Sequence, residues 1–170
     1  MFAGESETLT ATILPSNAFN QGVTWHSNNP EIATVNNWGN TVNVAAVSGG
    51  TTTITATTEC GGFTASSRVY ILSPTFDFGV DIGGIRWATR NVDAAGTFAR
   101  NPEDGGRHFQ WNRAADWIGN WSGDGATTWE SANDPCPAGW RVPTEAELRS
   151  LGSWYLDNSK WRVRSSFRCN

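Results

Sequence analysis

The residues from Gly152 to Ser166 are the best equipped in the sequence to bind another molecule. Tryptophan, tyrosine and arginine carry much of the binding energy at interfaces, because each buries a large area while few torsions are frozen. The predicted ligand-binding set is Trp154, Tyr155, Leu156, Asp157, Asn158, Ser159, Trp161, Arg162, Arg164, Ser165 and Ser166. From Arg149 onward there are five basic residues and one acid, although the whole chain has a net charge of −4. This local positive charge favours an anionic or aromatic partner surface.

Tryptophans also allow a purely structural interpretation. Trp154 and Trp161 would then fill a core, and the neighbouring arginines would simply be solvated. A second group of tryptophans lies earlier in the chain and would suit a platform for stacking sugars: Trp111, Trp117, Trp121 and Trp129. For this group a core role is the favoured expectation, because a small loop-rich domain needs large apolar side chains.

Metal binding and catalysis find little support in the residue types and their spacing. The possible oxygen ligands for calcium are Asn101, Glu103, Asp104, Asp116, Asp124, Glu130 and Asp134, and we expect them to be ordinary solvated loop residues. His26 and His108 fall in different predicted domains, and no nucleophile elbow, phosphate loop or zinc-protease motif is present. Glu145 and Glu147 point to different faces of a predicted helix. The expectation is a non-enzymatic protein without a cofactor or a metal.

Composition narrows the class of protein further. Charged residues make up 16% and aromatic residues 12% of the chain, which argues against disorder. No apolar run approaches the length needed to span a bilayer, so membrane insertion is not expected. The acidic balance gives no reason to expect nucleic acid as a partner. Three cysteines without a C-x-x-C spacing exclude a disulfide-rich scaffold and a zinc ribbon.

The first half of the chain, up to about residue 73, is predicted to be all β. From Thr8 to Ile13, apolar and threonine side chains alternate strictly, which is typical of a half-buried strand. The other predicted strands are Val23–Ser27, Ile32–Val35, Thr41–Val47, Thr51–Thr58 and Thr64–Leu72. Turn-forming residues separate these short strands, and this spacing suggests an antiparallel sandwich.

The second half has a different composition and is predicted to be α+β with many loops. It contains eight of the ten tryptophans and eleven of the twelve basic residues. Thr144 and Glu147 form a capping box that predicts a helix start, with Leu148 and Leu151 on one face of that helix. A weaker helical pattern covers about Asn101–Ala115.

Residues 4–73 resemble the bacterial immunoglobulin-like domain of group 2. The resemblance rests on Trp25, on the following Ser27-Asn28-Asn29-Pro30 and on Ile32-Ala33-Thr34-Val35. It implies an immunoglobulin-like sandwich that serves as a spacer or adhesive segment in surface proteins and phage structural proteins. Modules of this family rarely carry chemistry.

Residues 76–170 resemble the FISUMP group of C-type-lectin-like modules. The matching motifs are Trp87-Ala88-Thr89-Arg90-Asn91-Val92, Asn101-Pro102-Glu103-Asp104, Gln110-Trp111-Asn112 and the stretch from Asn133 to Thr144. The resemblance makes Phe167-Arg168-Cys169 the closing strand. It implies a disulfide from Cys136, in the loop before the helix, to Cys169, which leaves Cys60 as a free thiol. Fewer residues than usual separate Leu151 from that strand, so the loop region is short.

Related modules of gut bacteria and their phages are diversified by retroelements that randomise template adenines in a C-terminal stretch. Randomised asparagine codons cannot encode tryptophan or lysine, so Trp154, Lys160 and Trp161 would stay fixed. The residues that could vary are Tyr155, Leu156, Asp157, Asn158, Ser159, Arg162, Arg164, Ser165 and Ser166. The resemblance thus implies a variable binding protein on a cell surface or a virion, with a protein or glycan ligand on a cell surface. The alternatives are a carbohydrate-binding adhesin of fixed specificity and a purely structural surface module.

Overall fold

The computed structural model describes residues 1–36, 39–116, 128–151 and 169 of the 170-residue chain. The chain divides into two compact units, Met1–Ser73 and Pro74–Asn170. Each unit has its own cluster of buried apolar residues. In the described ranges, no helix has both the length and the apolar character needed to cross a membrane.

The first unit consists of two three-stranded antiparallel sheets. Its strands are β1 (Ser6–Thr10), β2 (Val23–Ser27), β3 (Ala33–Asn36), β4 (Thr41–Ala46), β5 (Gly50–Thr58) and β6 (Thr64–Ile71). One sheet has the order β1-β4-β3 and the other has the order β2-β5-β6. The predominance of β structure predicted for this half is confirmed, and it is consistent with an immunoglobulin-like sandwich.

The alternating pattern near the N-terminus is confirmed, but the bounds of the strand differ from the prediction. Leu9, Ala11 and Ile13 are half-buried, and the threonines between them are exposed. Strand β1 nevertheless ends at Thr10, which pairs with Thr41, the first residue of β4. The other five predicted strands differ from the observed ones by at most one residue at either end.

The core of the first unit is formed by alternate residues of both sheets. Val42 and Val44 of β4 and Ile54 of β5 are each 1% exposed, and Ile71 is completely buried. Burying a valine or isoleucine side chain stabilises a fold by roughly 1.5–3 kcal/mol. Trp25 completes the cluster, and its indole N–H donates to the carbonyl oxygen of Gly39 at 3.0 Å.

The second unit contains little regular structure in its described part. A hairpin pairs β7 (Val80–Ile82) with β8 (Ile85–Trp87), a 3₁₀ turn covers Ser131–Asn133, and helix α1 covers Glu145–Ser150. The two-residue turn of the hairpin is Gly83-Gly84, and both glycines have positive φ, as a type I′ turn requires. The remaining described residues are mostly turns and loops.

The helix expected over Asn101–Ala115 is absent, so that prediction is wrong. At its start, the Asp104 carboxylate accepts a hydrogen bond from the Asn101 backbone N–H at 2.8 Å, which favours a turn. Gly106 then has a φ of +65°, and a Cβ atom there would lie 2.2 Å from the carbonyl oxygen of Val92. A continuous helix cannot pass through a residue in this conformation.

Candidate functional site: the anchors of the C-terminal stretch

All eleven predicted ligand-binding residues, from Trp154 to Ser166, lie outside the described residues, as does Lys160. The described residues next to this stretch are Leu151 on one side and Cys169 on the other. The structure therefore defines how the two ends of the candidate binding region are attached to the second unit.

The N-terminal attachment is helix α1, which begins as predicted with a capping box. The Thr144 hydroxyl accepts a hydrogen bond from the Glu147 backbone N–H at 3.3 Å, and the Glu147 carboxylate accepts one from the Thr144 backbone N–H at 2.7 Å. Glu147 also pairs with Arg141, which lies before the helix. These contacts fix the start of the helix that leads into the candidate binding region.

The C-terminal attachment is a disulfide between Cys136 and Cys169, whose Cα atoms lie 6.0 Å apart. Cys169 is completely buried, and its carbonyl oxygen accepts a hydrogen bond from the Ala88 backbone N–H at 2.8 Å. Ala88 follows strand β8 directly, so Cys169 is held both to the hairpin segment and to the loop before α1. Cys60 of the first unit is an exposed free thiol.

Asp134 stabilises the loop that carries Cys136. One oxygen of its carboxylate accepts a hydrogen bond from the Cys136 backbone N–H at 2.9 Å, and the other accepts one from the Val142 backbone N–H at 2.9 Å. The side chain thereby connects both ends of the segment between residues 136 and 142. The disulfide is thus attached to a loop that is itself cross-linked.

A buried ion pair lies beside the same attachment. The Arg90 Nε donates to the Asp77 carboxylate at 2.9 Å, and both side chains are inaccessible to solvent. Arg90 also donates to the carbonyl oxygens of Ala99 at 3.0 Å and Phe76 at 2.5 Å, and its guanidinium lies 5.2 Å from the centre of the Phe98 ring. A buried arginine with this many partners holds several loop segments in one arrangement.

The Asp77 carboxylate is shifted towards its ionised form. Burial alone would raise its pKa, but this effect is outweighed by hydrogen bonds that the carboxylate accepts from Gly79, Arg90 and Thr89. The net result is a pKa below the ordinary value of 3.8. Asp77 is therefore a structural carboxylate that stays charged, and it is unsuited to act as a general acid near neutral pH.

The structure describes two of the four tryptophans of the predicted cluster and places them in contact. Trp111 is 50% exposed, so the expectation that it lies in the core is wrong. Trp129 is half-buried, and the two ring centres are 5.0 Å apart. The other two members of the cluster, Trp117 and Trp121, lie outside the described residues.

The proposed oxygen ligands for calcium do not converge in the described part of the chain, where no three acidic, histidine or cysteine residues come together to hold a metal. Several of them have structural contacts instead of being simply solvated. Asp104 accepts from Asn101, Asp116 pairs with Arg107 at 2.7 Å, and Asp134 binds backbone N–H groups. Asp124 lies outside the described residues.

The two histidines lie in different units. His26 is exposed on β2 of the first unit, and His108 is exposed in a loop of the second unit.

A surface cleft of about 270 Å³ in the second unit is lined by Thr75, Phe76, Asp77, Arg86, Ala138, Gly139 and Trp140. Among the described residues that line the cleft, the one carboxylate is that of Asp77, which already accepts several hydrogen bonds.

Comparison with known proteins identifies the first unit. Residues 2–69 match the family model of the bacterial Ig-like domain (group 2). Over 67 residues the chain is 40% identical to an uncharacterized protein of Clostridium acetobutylicum, and the match covers 39% of this chain and 7% of that protein. It is also 43% identical over 67 residues to an alpha-L-arabinofuranosidase of Bifidobacterium longum subsp. longum, covering 39% of this chain and 6% of the enzyme.

The matched segment is a small fraction of both relatives, so their overall activities do not carry over to this chain. The match does agree with the two-sheet architecture of β1 to β6. The match also includes Trp25 and the segment Ser27-Asn28-Asn29-Pro30 on which the resemblance was based. The family is a non-catalytic module family of extracellular and surface bacterial proteins. The match of residues 2–69 supports a bacterial Ig-like domain of group 2 at the N-terminus of this chain.

Proposed function

We propose that this chain is a non-enzymatic binding protein displayed on a bacterial cell surface or a phage virion. In this proposal the Ig-like domain is a spacer, and the second unit is a C-type-lectin-like domain that binds a protein or glycan ligand on a cell surface. The binding surface is the C-terminal stretch from Trp154 to Ser166. Its variable positions are diversified by a retroelement, whereas Trp154 and Trp161 stay constant.

One observation carries the proposal: the described residues on both sides of this stretch have anchoring contacts that do not involve it. Cys169 is bonded to Cys136 and hydrogen-bonded to Ala88, and helix α1 is capped by Thr144. Substitutions between the two anchors do not replace any residue that makes these contacts. A scaffold with this property tolerates a changing loop sequence, as binding loops on rigid frameworks do.

The residue types of the stretch support recognition of a large partner. Its aromatic and arginine side chains are those that dominate protein and glycan interfaces. The local excess of basic residues from Arg149 onward favours an anionic surface, such as an acidic glycan or an acidic patch of a protein. The occurrence of the Ig-like domain within much longer relatives supports its role as a reusable spacer.

A second candidate is an adhesin of fixed specificity that binds carbohydrate. The half-exposed ring of Trp111 beside Trp129 favours this alternative, because aromatic rings at a surface bind sugars without any sequence variation. The two functions differ in whether the C-terminal stretch is needed for binding and whether it varies.

The test is a comparison of cell binding by two multiple variants of the full chain. Fluorescently labelled protein is incubated with a panel of gut bacteria and with a glycan array. Replacing Tyr155, Arg162 and Arg164 together by alanine should reduce binding at least about tenfold if these residues form a hot spot. The matched control replaces Arg68, Arg107 and Tyr70 together by alanine and should bind as the original protein does. Equal binding by both variants would refute the proposed location of the site.

A further inference from the structure

We propose that Trp111 and Trp129 form a second binding site, separate from the C-terminal stretch, that stacks against the rings of a neutral oligosaccharide. Within the described residues, Trp111 is the most exposed tryptophan, at 50%, whereas Trp25 and Trp87 are 8% and 3% exposed. An isolated exposed apolar residue needs no explanation, but an exposed tryptophan in contact with a second tryptophan forms a continuous aromatic surface.

The ring of Trp111 is held outward by a tight turn. The Arg113 backbone N–H donates to the carbonyl oxygen of Gln110 at 3.2 Å, which places Trp111 and Asn112 at the two central positions. Asn112 has a φ of +59°, whereas Trp111 has no positive φ, and this combination is typical of a type II turn. Among the described residues, Asn112 is the one residue other than glycine in this conformation.

The unusual conformation of Asn112 is stabilised by bonds to the segment that carries Trp129. Asn112 is 9% exposed, and its side-chain oxygen accepts hydrogen bonds from the Glu130 backbone N–H at 2.7 Å and from the Asn133 amide at 3.3 Å. Asn112 directly follows Trp111 and Glu130 directly follows Trp129, so this hydrogen bond links the two residues next to the tryptophans. The buried amide fixes the spacing of the two rings before any ligand arrives.

Both sides of the pair are also attached to rigid parts of the second unit. On one side, a β-bridge between Phe109 and Asp116 closes the loop that contains Trp111, and Phe109 packs against the hydrophobic cluster. On the other side, the 3₁₀ turn Ser131–Asn133 leads to Asp134, which binds the disulfide loop. A site prepared in this way pays little ordering entropy on binding.

The geometry of the rings favours a sugar. Their centres are 5.0 Å apart and their planes are inclined at 55°, so the pair forms a shallow wedge and not a flat plate. A pyranose or furanose ring presents C–H groups to an aromatic face and hydroxyl groups around its edge. Glu130 and Thr128 are exposed beside Trp129, and they supply polar atoms for such hydroxyl groups.

A protein partner fits this surface less well. A stable protein interface buries about 800 Å² on each partner, with several anchor residues, whereas the described site offers two rings within a polar surrounding. Nucleic acid is disfavoured by the chain's net charge of −4. A short neutral oligosaccharide matches both the small apolar area and the polar rim.

The test is a titration of the full chain with cellohexaose, xylohexaose and arabinohexaose. Binding is monitored through the chemical shifts of the tryptophan indole N–H groups in NMR spectra. We expect saturable binding with a dissociation constant of about 1 mM or lower for at least one of them, with shifts at Trp111 and Trp129. Trp111→Ala should weaken binding at least about tenfold, and Trp111→Phe by about threefold or less, because phenylalanine keeps an aromatic face.

Two controls separate this site from the proposed function. Phe63→Ala removes an aromatic side chain that is 75% exposed in the first unit, and it should leave the titration unchanged. The triple variant at Tyr155, Arg162 and Arg164 should also bind the sugar normally. No saturable binding up to about 10 mM would overturn the proposal. Shifts confined to other tryptophans, or binding of aromatic peptides and of no sugar, would overturn it as well.

Discussion

The guanidinium of Arg90 and the carboxylate of Asp77 lie 2.9 Å apart, and neither side chain is accessible to solvent. Arg90 belongs to the segment that follows β8, and Asp77 precedes β7, so the pair connects the two ends of the hairpin. Ala88, two residues before Arg90, binds the carbonyl oxygen of Cys169. The ion pair therefore supports the place where the end of the candidate binding region is attached.

Removing the arginine of this pair should destabilise the second unit strongly. Arg90→Met leaves the Asp77 carboxylate buried without its charged partner, which typically costs about 3–5 kcal/mol. The matched control is Arg107→Met, since Arg107 pairs with Asp93 and Asp116 at the surface and is 49% exposed. That change should cost less than about 1 kcal/mol. Urea denaturation of both full-length variants gives the comparison, and equal losses would contradict the structural role of the pair.

The stability of the chain should depend on pH through Asp77. Its folded pKa is lowered, so its contribution is fully present above the ordinary value of 3.8 and is lost as the pH falls through the lower folded pKa. Asp77→Asn removes the charge at every pH. The difference in the free energy of unfolding between the original protein and Asp77→Asn should therefore be constant from pH 7 to about 5 and shrink below about pH 4. A difference that grows towards acid pH would contradict this assignment.

Breaking the disulfide should also destabilise the second unit. Replacing Cys136 and Cys169 together by serine opens a loop with a sequence separation of 33 residues, and we expect a loss of about 2–4 kcal/mol. Cys60→Ser is the control, because Cys60 is exposed and unbonded. It should change the unfolding midpoint very little. A double variant as stable as the control would show that the attachment of Cys169 does not depend on the bond.

Substitutions of Thr144, the capping residue of helix α1, should lower the free energy of unfolding by a smaller amount. Thr144→Ala removes the hydroxyl that accepts from the Glu147 backbone N–H, and the typical loss is about 1 kcal/mol. Thr144→Ser keeps the hydroxyl and should retain nearly all of the stability. Thermal unfolding of the two variants measures the difference. If serine and alanine were equally destabilising, the lost contact would be the methyl group and not the cap.

The first unit could be predicted closely because its residues follow a local pattern. In β2 the side chains of Val23, Trp25 and Ser27 are buried and those between them are exposed, so period two in the sequence becomes period two in the sheet. The motif around Trp25 also agrees with the matched family model. A strand with this alternating pattern can be predicted without knowing which strands pair with it.

The second unit was less predictable because its stabilising contacts join residues without a regular spacing. No sequence pattern indicates that Asp77 binds Arg90, because the two residues are 13 positions apart in segments without regular periodicity. The exposure of Trp111 depends on the turn at Asn112, and the turn depends on Glu130 far along the chain. The capping box at Thr144 was readable because both of its residues lie within one helical turn.

The most direct test of the proposed function is deep sequencing of the coding region for this chain across the bacterial or phage population that carries it. The account predicts substitutions confined to the stretch from Tyr155 to Ser166, each traceable to a template adenine, with Trp154, Lys160 and Trp161 constant. The anchors Cys136 and Cys169 should not vary. An invariant C-terminal stretch, or substitutions spread evenly over the second unit, would contradict the account and leave an adhesin of fixed specificity or a structural module.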